Sequence, residues 1–319
     1  MDFNLNRDMQ IFEPFFKKRP EVVFQKFKSD LERYYLPYVN KLIELKKHKQ
    51  ENDGMIVGIS AIQGAGKSTQ GEVLEVLVKQ MGYNCLSLSI DDHYITHEEL
   101  NNLRARDPRF IRRGVTHDVN LAISDLTKLK TMESGETITV THYDKSAFNG
   151  DGDRGESRGV DQKPDFIFYD GWMLGARSVT DGSVFDQNLP ALETLEAKQF
   201  AKDVNKKLVE YEPLWKMIEF MNVLYVPHYE MSLVWRENAE KTLRKSGEGM
   251  SEEQIKKFVH YFWRSVHPAI HIKNLAQDSE HVQQVAIIGD DHSILEVLSP
   301  TVVSARRNSS SELFRSSVN

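Results

Sequence analysis

The chain has 319 residues, 40% of them hydrophobic and 28% charged, with a formal net charge of −6. That is ample material for a globular core, and the acidic balance gives no support to general nucleic-acid binding, which needs a basic footprint. No apolar run approaches the ~20 residues that cross a bilayer, and the opening residues lack the apolar stretch of a signal peptide.

Residues 1–20 read as an irregular arm. From 21 to 48, Val22, Val23, Phe27, Leu31, Tyr35, Val39, Leu42 and Leu45 recur at three- and four-residue steps, which predicts a helix that Pro37 should kink or split. Residues 55–61 form a short β-branched run typical of a buried parallel strand. Residues 68–81 carry Val73, Leu74, Leu77 and Val78 at helical spacing, and 86–90 is a second buried strand. The lone cysteine, Cys85, borders that strand and reads as a small core residue. A single thiol permits no disulfide within the chain and fits a cytoplasmic location.

Helices are predicted over 98–106 and 119–130, a strand over 137–143, a long mobile loop over the Gly/Asp-rich residues 149–159, and a strand over 166–169. Residues 192–272 read as mostly helical around a strand at 223–226, and 285–288 as a last strand. Residues 304–319, with six serines and three arginines, read as a disordered tail. Strands alternating with helices predict an α/β protein with a mostly parallel sheet.

The strongest motif is Gln63-Gly64-Ala65-Gly66-Lys67-Ser68-Thr69, between a buried strand and a helix, the context of a Walker A phosphate loop. Its glycines let backbone N–H groups converge on phosphate oxygens. The helix start adds unpaired N–H groups and the positive end of its dipole. Lys67 would neutralise β and γ oxygens and Ser68 would place its hydroxyl on Mg²⁺. The motif pattern has glycine at position 61, where this chain has Ala61. These residues predict a P-loop NTPase, a three-layer α/β/α fold, spanning residues 51–300, with the helices of 1–50 packed on it and a tail at 301–319.

Two further strands end in acids, Asp91-Asp92-His93-Tyr94 after residue 90 and Asp170-Gly171-Trp172 after residue 169. Ligands of open α/β sheets sit at such strand ends. A carboxylate beside the γ-phosphate can take the proton of an attacking hydroxyl or hold Mg²⁺. No Asn-Lys-x-Asp guanine-reading segment is present.

The run of motifs in one order resembles the D-glycerate 3-kinase family, within the wider phosphoribulokinase, uridine kinase and pantothenate kinase group. They are the residues from Ser60 to Thr69, Ser89-Ile90-Asp91-Asp92, Arg113-Gly114 with His117-Asp118, Tyr143-Asp144-Lys145-Ser146-Ala147-Phe148, Gly152-Asp153-Arg154 and Asp170-Gly171-Trp172-Met173-Leu174-Gly175. The likeness runs from about residue 55 to 290, and Ala61 matches that branch. It implies a kinase that transfers the γ-phosphoryl of MgATP to a hydroxyl of a small metabolite, D-glycerate first. Asp91 would be the general base and lie near the metal, Ser68 and Asp170 would hold Mg²⁺, and Asp92, Tyr94, Arg113, His117, Asp118, Tyr143, Lys145 and Arg154 would line the acceptor pocket. Lys145 and Arg154 suit a carboxylate-bearing substrate. Arg236, with Arg244, would sit on a lid helix and neutralise transferring charge.

Four positions depart from the family pattern. His93 replaces phenylalanine, the loop from Arg113 to His117 is short, Asp170 replaces glutamate, and Trp263 replaces proline. The first three are placed by sequence at the active site. Arg236 and Glu240 are also spaced as a helix-surface ion pair, and Trp172, Trp215, Trp235 and Trp263 read as core. A kinase of the same fold acting on another hydroxy acid, a nucleoside or an alcohol, and an ATP-binding regulatory protein, are the alternatives.

Overall fold

The computed structural model describes residues 8–49, 52–244 and 249–308. The predictions for residues 1–7 and 309–319 lie outside the described residues. Residues 8–18 are helical rather than irregular, with a 3-10 turn at Met9–Phe12 and a helix at Glu13–Lys18. The reason is the phenylalanines: Phe12 and Phe15 are buried against Phe27, with ring centroids 5.0 and 4.9 Å away. The next helix runs from Phe24–Asp30 through a π turn at Leu31–Tyr35 into Leu36–His48. Pro37 falls just past the π turn, where the shifted hydrogen-bond register accommodates its missing N–H, so the helix continues through it.

The strands are β1 (Met55–Ala61), β2 (Cys85–Ser89), β3 (Ile138–Val140), β4 (Tyr143–Asp144), β5 (Asp153–Arg154), β6 (Arg158–Val160), β7 (Phe166–Gly171), β8 (Phe220–Tyr225), β9 (Gln284–Ile288) and β10 (Ile294–Leu298). The central sheet has the order β10-β9-β8-β1-β7-β2 and is parallel except for β10. All seven residues of β1 are buried, as its unbroken apolar run demands. Helices Lys67–Gln80 and Val119–Thr131 pack on the sheet, and the N-terminal aromatic residues belong to the same core. This is the α/β P-loop fold that the sequence predicts.

Three predictions are corrected. The 137–143 strand is divided between β3 and β4, which pair with β6 and β5 in two small ribbons and never enter the central sheet. Those pairings also structure residues 149–159, read from sequence as a mobile loop; Arg104 clamps Asp151 with two hydrogen bonds of 2.7 and 2.9 Å. The chain beyond β9 adds β10, and a helix at Pro300–Asn308 takes in the start of the segment read as a disordered tail. Strand β10 escapes a pattern search because Leu295 and Val297, both apolar, face outward at this edge. No helix among the described residues is long and apolar enough to cross a membrane.

Candidate active site

Strand β1 runs straight into the phosphate loop. Gly64 and Gly66 have φ of +84° and +93°, a backbone that only glycine adopts freely. A Cβ at Gly66 would stand in open space, whereas one at Gly64 would come within 3.0 Å of Trp235. Gly66 caps the helix Lys67–Gln80, so that helix presents its first N–H groups to a bare concavity, a ready anion site. Ala61 ends β1 fully buried and without a positive φ, so no glycine is needed there. The Lys67 ammonium donates to the carbonyls of Ala61 and Ile62 at 3.0 and 3.1 Å. Burial pulls its pKa down, opposed by Asp170 and Asp91. The side-chain nitrogen of Gln63 is shielded and makes no hydrogen bond, and Thr69 lines a cavity beside the loop.

The two acids are set by the register of the sheet. Asp170 on β7 lies level with Ile59 of β1 and Ser89 of β2. Beyond Ser89 a 3-10 turn, Ile90–His93, is closed by a capping box in which Ser89 Oγ accepts from the Asp91 N–H and Asp92 Oδ2 from the Ser89 N–H. The same Ser89 hydroxyl donates to Asp170 Oδ1 at 3.2 Å. Burial pushes the Asp170 carboxyl above its ordinary value, opposed by Lys67. Burial also acts to raise Asp91, but Lys145, 2.7 Å from its Oδ2, outweighs it and holds the group below the usual carboxylate range. Asp91 Oδ1 is shielded from solvent, and the Tyr94 hydroxyl adds to the interactions that keep the carboxyl ionised.

Around Asp91 the fold gathers the expected pocket residues. Tyr94 and His117 form an antiparallel bridge and their rings stack at 4.2 Å. His117 Nδ1 bonds the Tyr211 hydroxyl at 2.9 Å, its Nε2 has no partner, and burial drops its pKa to about 3, so it is neutral. Arg113 lies over the rings of Tyr143 and Tyr94, at 5.5 and 5.8 Å, and donates to the Asp151 carbonyl. Asp118 caps the helix Val119–Thr131 and pairs with Arg154 at 2.8 Å.

Some candidates are placed elsewhere. The Asp92 carboxylate is committed to its capping box, to the Tyr143 N–H at 3.3 Å and to His142 at 3.2 Å, so it joins β4 to the base-bearing turn. Arg236 pairs with buried Glu240 at 2.5 Å and stacks on Phe258, on the helix Met231–Arg244. Arg244 pairs with Glu237 on the same helix. His93 points into the core: it is fully buried, 3.1 Å from the Tyr169 hydroxyl and 3.6 Å from Asp125. That overturns its placement in the pocket: each step of a 3-10 turn rotates the side chain by about 120°, so residues two apart face different ways. Trp263 is buried against Tyr229 and His260.

Sequence reasoning missed four residues. Ser89 bridges both acids, and its S-x-x-D capping pattern was a readable signal. Trp235, expected as core, is buried but presses on Gly64 and stacks at 4.3 Å on His292, which donates to the Gly64 carbonyl at 2.8 Å. Arg112 shares the Phe258 ring with Arg236, at 5.2 Å. Nothing in the local sequence marks Trp235, His292 or Arg112, because their contacts are long-range.

No family model matches the chain. It is 32% identical over 250 residues to the chloroplastic D-glycerate 3-kinase of Arabidopsis thaliana, across 73% of this chain and 53% of that protein, about half its length. The solved D-glycerate 3-kinase of Cryptococcus neoformans superposes with a TM-score of 0.72 at 23% identity, over 82% of this chain and 96% of that one. The chain is therefore similar in sequence to a D-glycerate 3-kinase and shares the fold of another. The family likeness extends to the uncharacterized kinase mug58 of Schizosaccharomyces pombe, 29% identical over 236 residues, 70% of this chain and 84% of that one. Against the D-glycerate 3-kinase pattern, the His93 departure is a core substitution, whereas Asp170 for glutamate lies among the strand-end acids.

Proposed function

We propose that this kinase transfers the γ-phosphoryl group of ATP to a hydroxyl of D-glycerate. The observation that carries the reading is the Asp91 carboxylate: Lys145 holds Oδ2 at 2.7 Å and keeps the group ionised, and the carboxylate also interacts with Lys67 of the phosphate loop and with the Tyr94 hydroxyl. A base needs an ionised oxygen within reach of the hydroxyl proton, and this one is positioned in advance. The acceptor oxygen attacks the γ phosphorus, Asp91 takes its proton, and the bond to the β-phosphate oxygen breaks to release ADP. Lys67 and the loop N–H groups meet the charge on the transferring group.

The residues present fit a Mg²⁺ ion. The described residues hold no cluster of three or more His, Cys, Asp or Glu side chains that would cage a metal. Mg²⁺ takes one or two carboxylates with phosphate oxygens and water instead, and Ser68, Asp170 and Asp91 supply that set. When bound, it would neutralise β and γ oxygens. The acceptor carboxylate suits Lys145, Arg113 and Arg154, and neutral His117 offers its free Nε2 to a hydroxyl. Arg236 would reach the transferring phosphoryl only after release from Glu240. Two relatives carry the name D-glycerate 3-kinase, which supports this acceptor over another hydroxy acid, a nucleoside or a regulatory role. The acidic charge and single thiol support a cytoplasmic enzyme with a small-molecule partner rather than nucleic acid or membrane.

The test is ADP release from MgATP with a panel of hydroxy acids and alcohols, with Asp91→Asn as control. Stimulation by D-glycerate that the control loses supports the proposal; stimulation by a different acceptor alone moves the substrate, and ATP binding without any stimulation removes the kinase reading.

A further inference from the structure

A cavity of about 400 Å³ opens beside the phosphate loop, within the range of small-molecule sites. Its floor is Gly64, Gly66 and Thr69, and one side is His292 in the β9–β10 turn. None of Asp91, His117, Tyr143 or Lys145 lines it. The opposite side is built by the N-terminal helices and the turn that joins them, through Val22, Phe27 and Asp30.

These helices are strapped across the loop. Arg19 meets Glu72 of the helix Lys67–Gln80 at 2.6 Å. Lys26 reaches both the carboxylate and the carbonyl of Asp291 at 3.0 Å, in the β9–β10 turn. Beneath them the Tyr34 hydroxyl accepts from Gln70, one residue past Thr69, and from Asn222 at 2.8 Å. Both cations are therefore paired, and Asp30, its side chain 13% exposed and 3.8 Å from the exposed Arg33, is a carboxylate of the helical wall, with Glu21 in the turn before it.

A nucleoside triphosphate on the loop has only one orientation that allows transfer. Its γ-phosphate must face Asp91, so the nucleoside must leave by the other end of the loop, where this cavity lies. We propose that residues 15–35 form the outer wall of the pocket for the base and ribose of that nucleotide, with Val22 and Phe27 packing on the nucleoside and Asp30 accepting a hydrogen bond from it. The proposal rests on the nucleotide reading of the phosphate loop. It gives the N-terminal helices, which lie outside the stretch of family motifs, a share in nucleotide affinity and base choice.

The test is calorimetric titration of the full chain with MgATP, MgGTP and inorganic tripolyphosphate, in the wild type, Val22→Trp and Asp30→Asn. Val22→Trp fills the cavity from a partly exposed position. It should weaken ATP about tenfold or more while tripolyphosphate binding, which reports a folded loop, changes about twofold or less. Asp30→Asn should weaken ATP, or shift the ATP-to-GTP preference, by about fivefold with the same unchanged tripolyphosphate affinity. Unchanged ATP affinity in both variants, or equal loss of ATP and tripolyphosphate, overturns the pocket. A wild type that binds neither ligand overturns the phosphate-loop reading and the pocket with it.

Discussion

The Lys145 ammonium lies 2.7 Å from Asp91 Oδ2 and is the main force holding that carboxyl ionised against burial. In Lys145→Met burial acts with less opposition and the Asp91 pKa rises. The acid limb of the kcat/KM profile should then move to higher pH by about 1 unit or more. Asp91→Asn should lower kcat by about 10²–10⁴ while ATP still binds. A pH–rate series on both variants checks this, and an unmoved acid limb in Lys145→Met rules out the pair as the source of the limb.

Ser89 Oγ accepts from the Asp91 N–H and donates to Asp170, so one hydroxyl sets both acids. Loss of a cap costs about 1 kcal/mol of stability. Ser89→Ala should therefore unfold at slightly lower denaturant and lose kcat, and Ser89→Thr should recover both. Denaturant melts beside steady-state kinetics measure the two effects; full activity in Ser89→Ala would show that the bridge is idle.

Gly152 has φ +81°, and a Cβ there would strike the guanidinium of Arg113 and the ring of Tyr143. Gly152→Ala should push Arg113 off the two tyrosine rings and raise the acceptor KM, with ATP affinity unchanged. The nearest atoms to a Cβ at Gly152 belong to Arg113, Tyr143 and Asp144, none of them in the phosphate loop. Acceptor and nucleotide titrations of the variant separate these; a KM change confined to ATP would contradict the placement of Arg113.

His117, His267 and His271 are buried and neutral, with pKa values lowered to about 3, 4 and 3 by burial. Their folded values lie below the unfolded value of about 6.5. The unfolded chain thus binds protons that the fold refuses, so the stability they contribute is complete above about pH 6.5 and is lost as pH falls toward 4. Denaturant midpoints from pH 7 to 4.5 should fall steadily, and a flat profile would show that these rings are protonated in the fold.

His93→Phe restores the family residue in the core. It leaves the Tyr169 hydroxyl without its ring partner and removes the contact of Asp125 with imidazole, although Asp125 keeps the Thr141 N–H and Lys128. Stability should fall by about 1–3 kcal/mol, while the acceptor KM stays put. A changed acceptor preference would return His93 to the pocket.

Much of this enzyme was readable from residue order because its chemistry is local. A glycine loop between a buried strand and a helix, and acids at or just past strand ends, declare themselves through backbone conformation and periodicity. Thus β1, the Lys67 helix, and Asp91 and Asp170 at strand ends all appear where the sequence places them. The readings that failed were of two kinds. Residues 8–18 and 149–159 look irregular because the partners that order them, Phe27 and Arg104, lie elsewhere in the chain. His93 looks like a site residue because it stands two residues from Asp91, yet its ring is buried in the core.

The sequence by itself determined the phosphate loop, the strand-end acids and the likeness to D-glycerate 3-kinases. Only the tertiary structure decided which neighbour of Asp91 faces the site, that Ser89 couples the two acids, and that the N-terminal helices close a cavity on the loop. Those depend on sheet register and on a one-residue turn of backbone, which reverse the direction of a side chain without altering the order of residues.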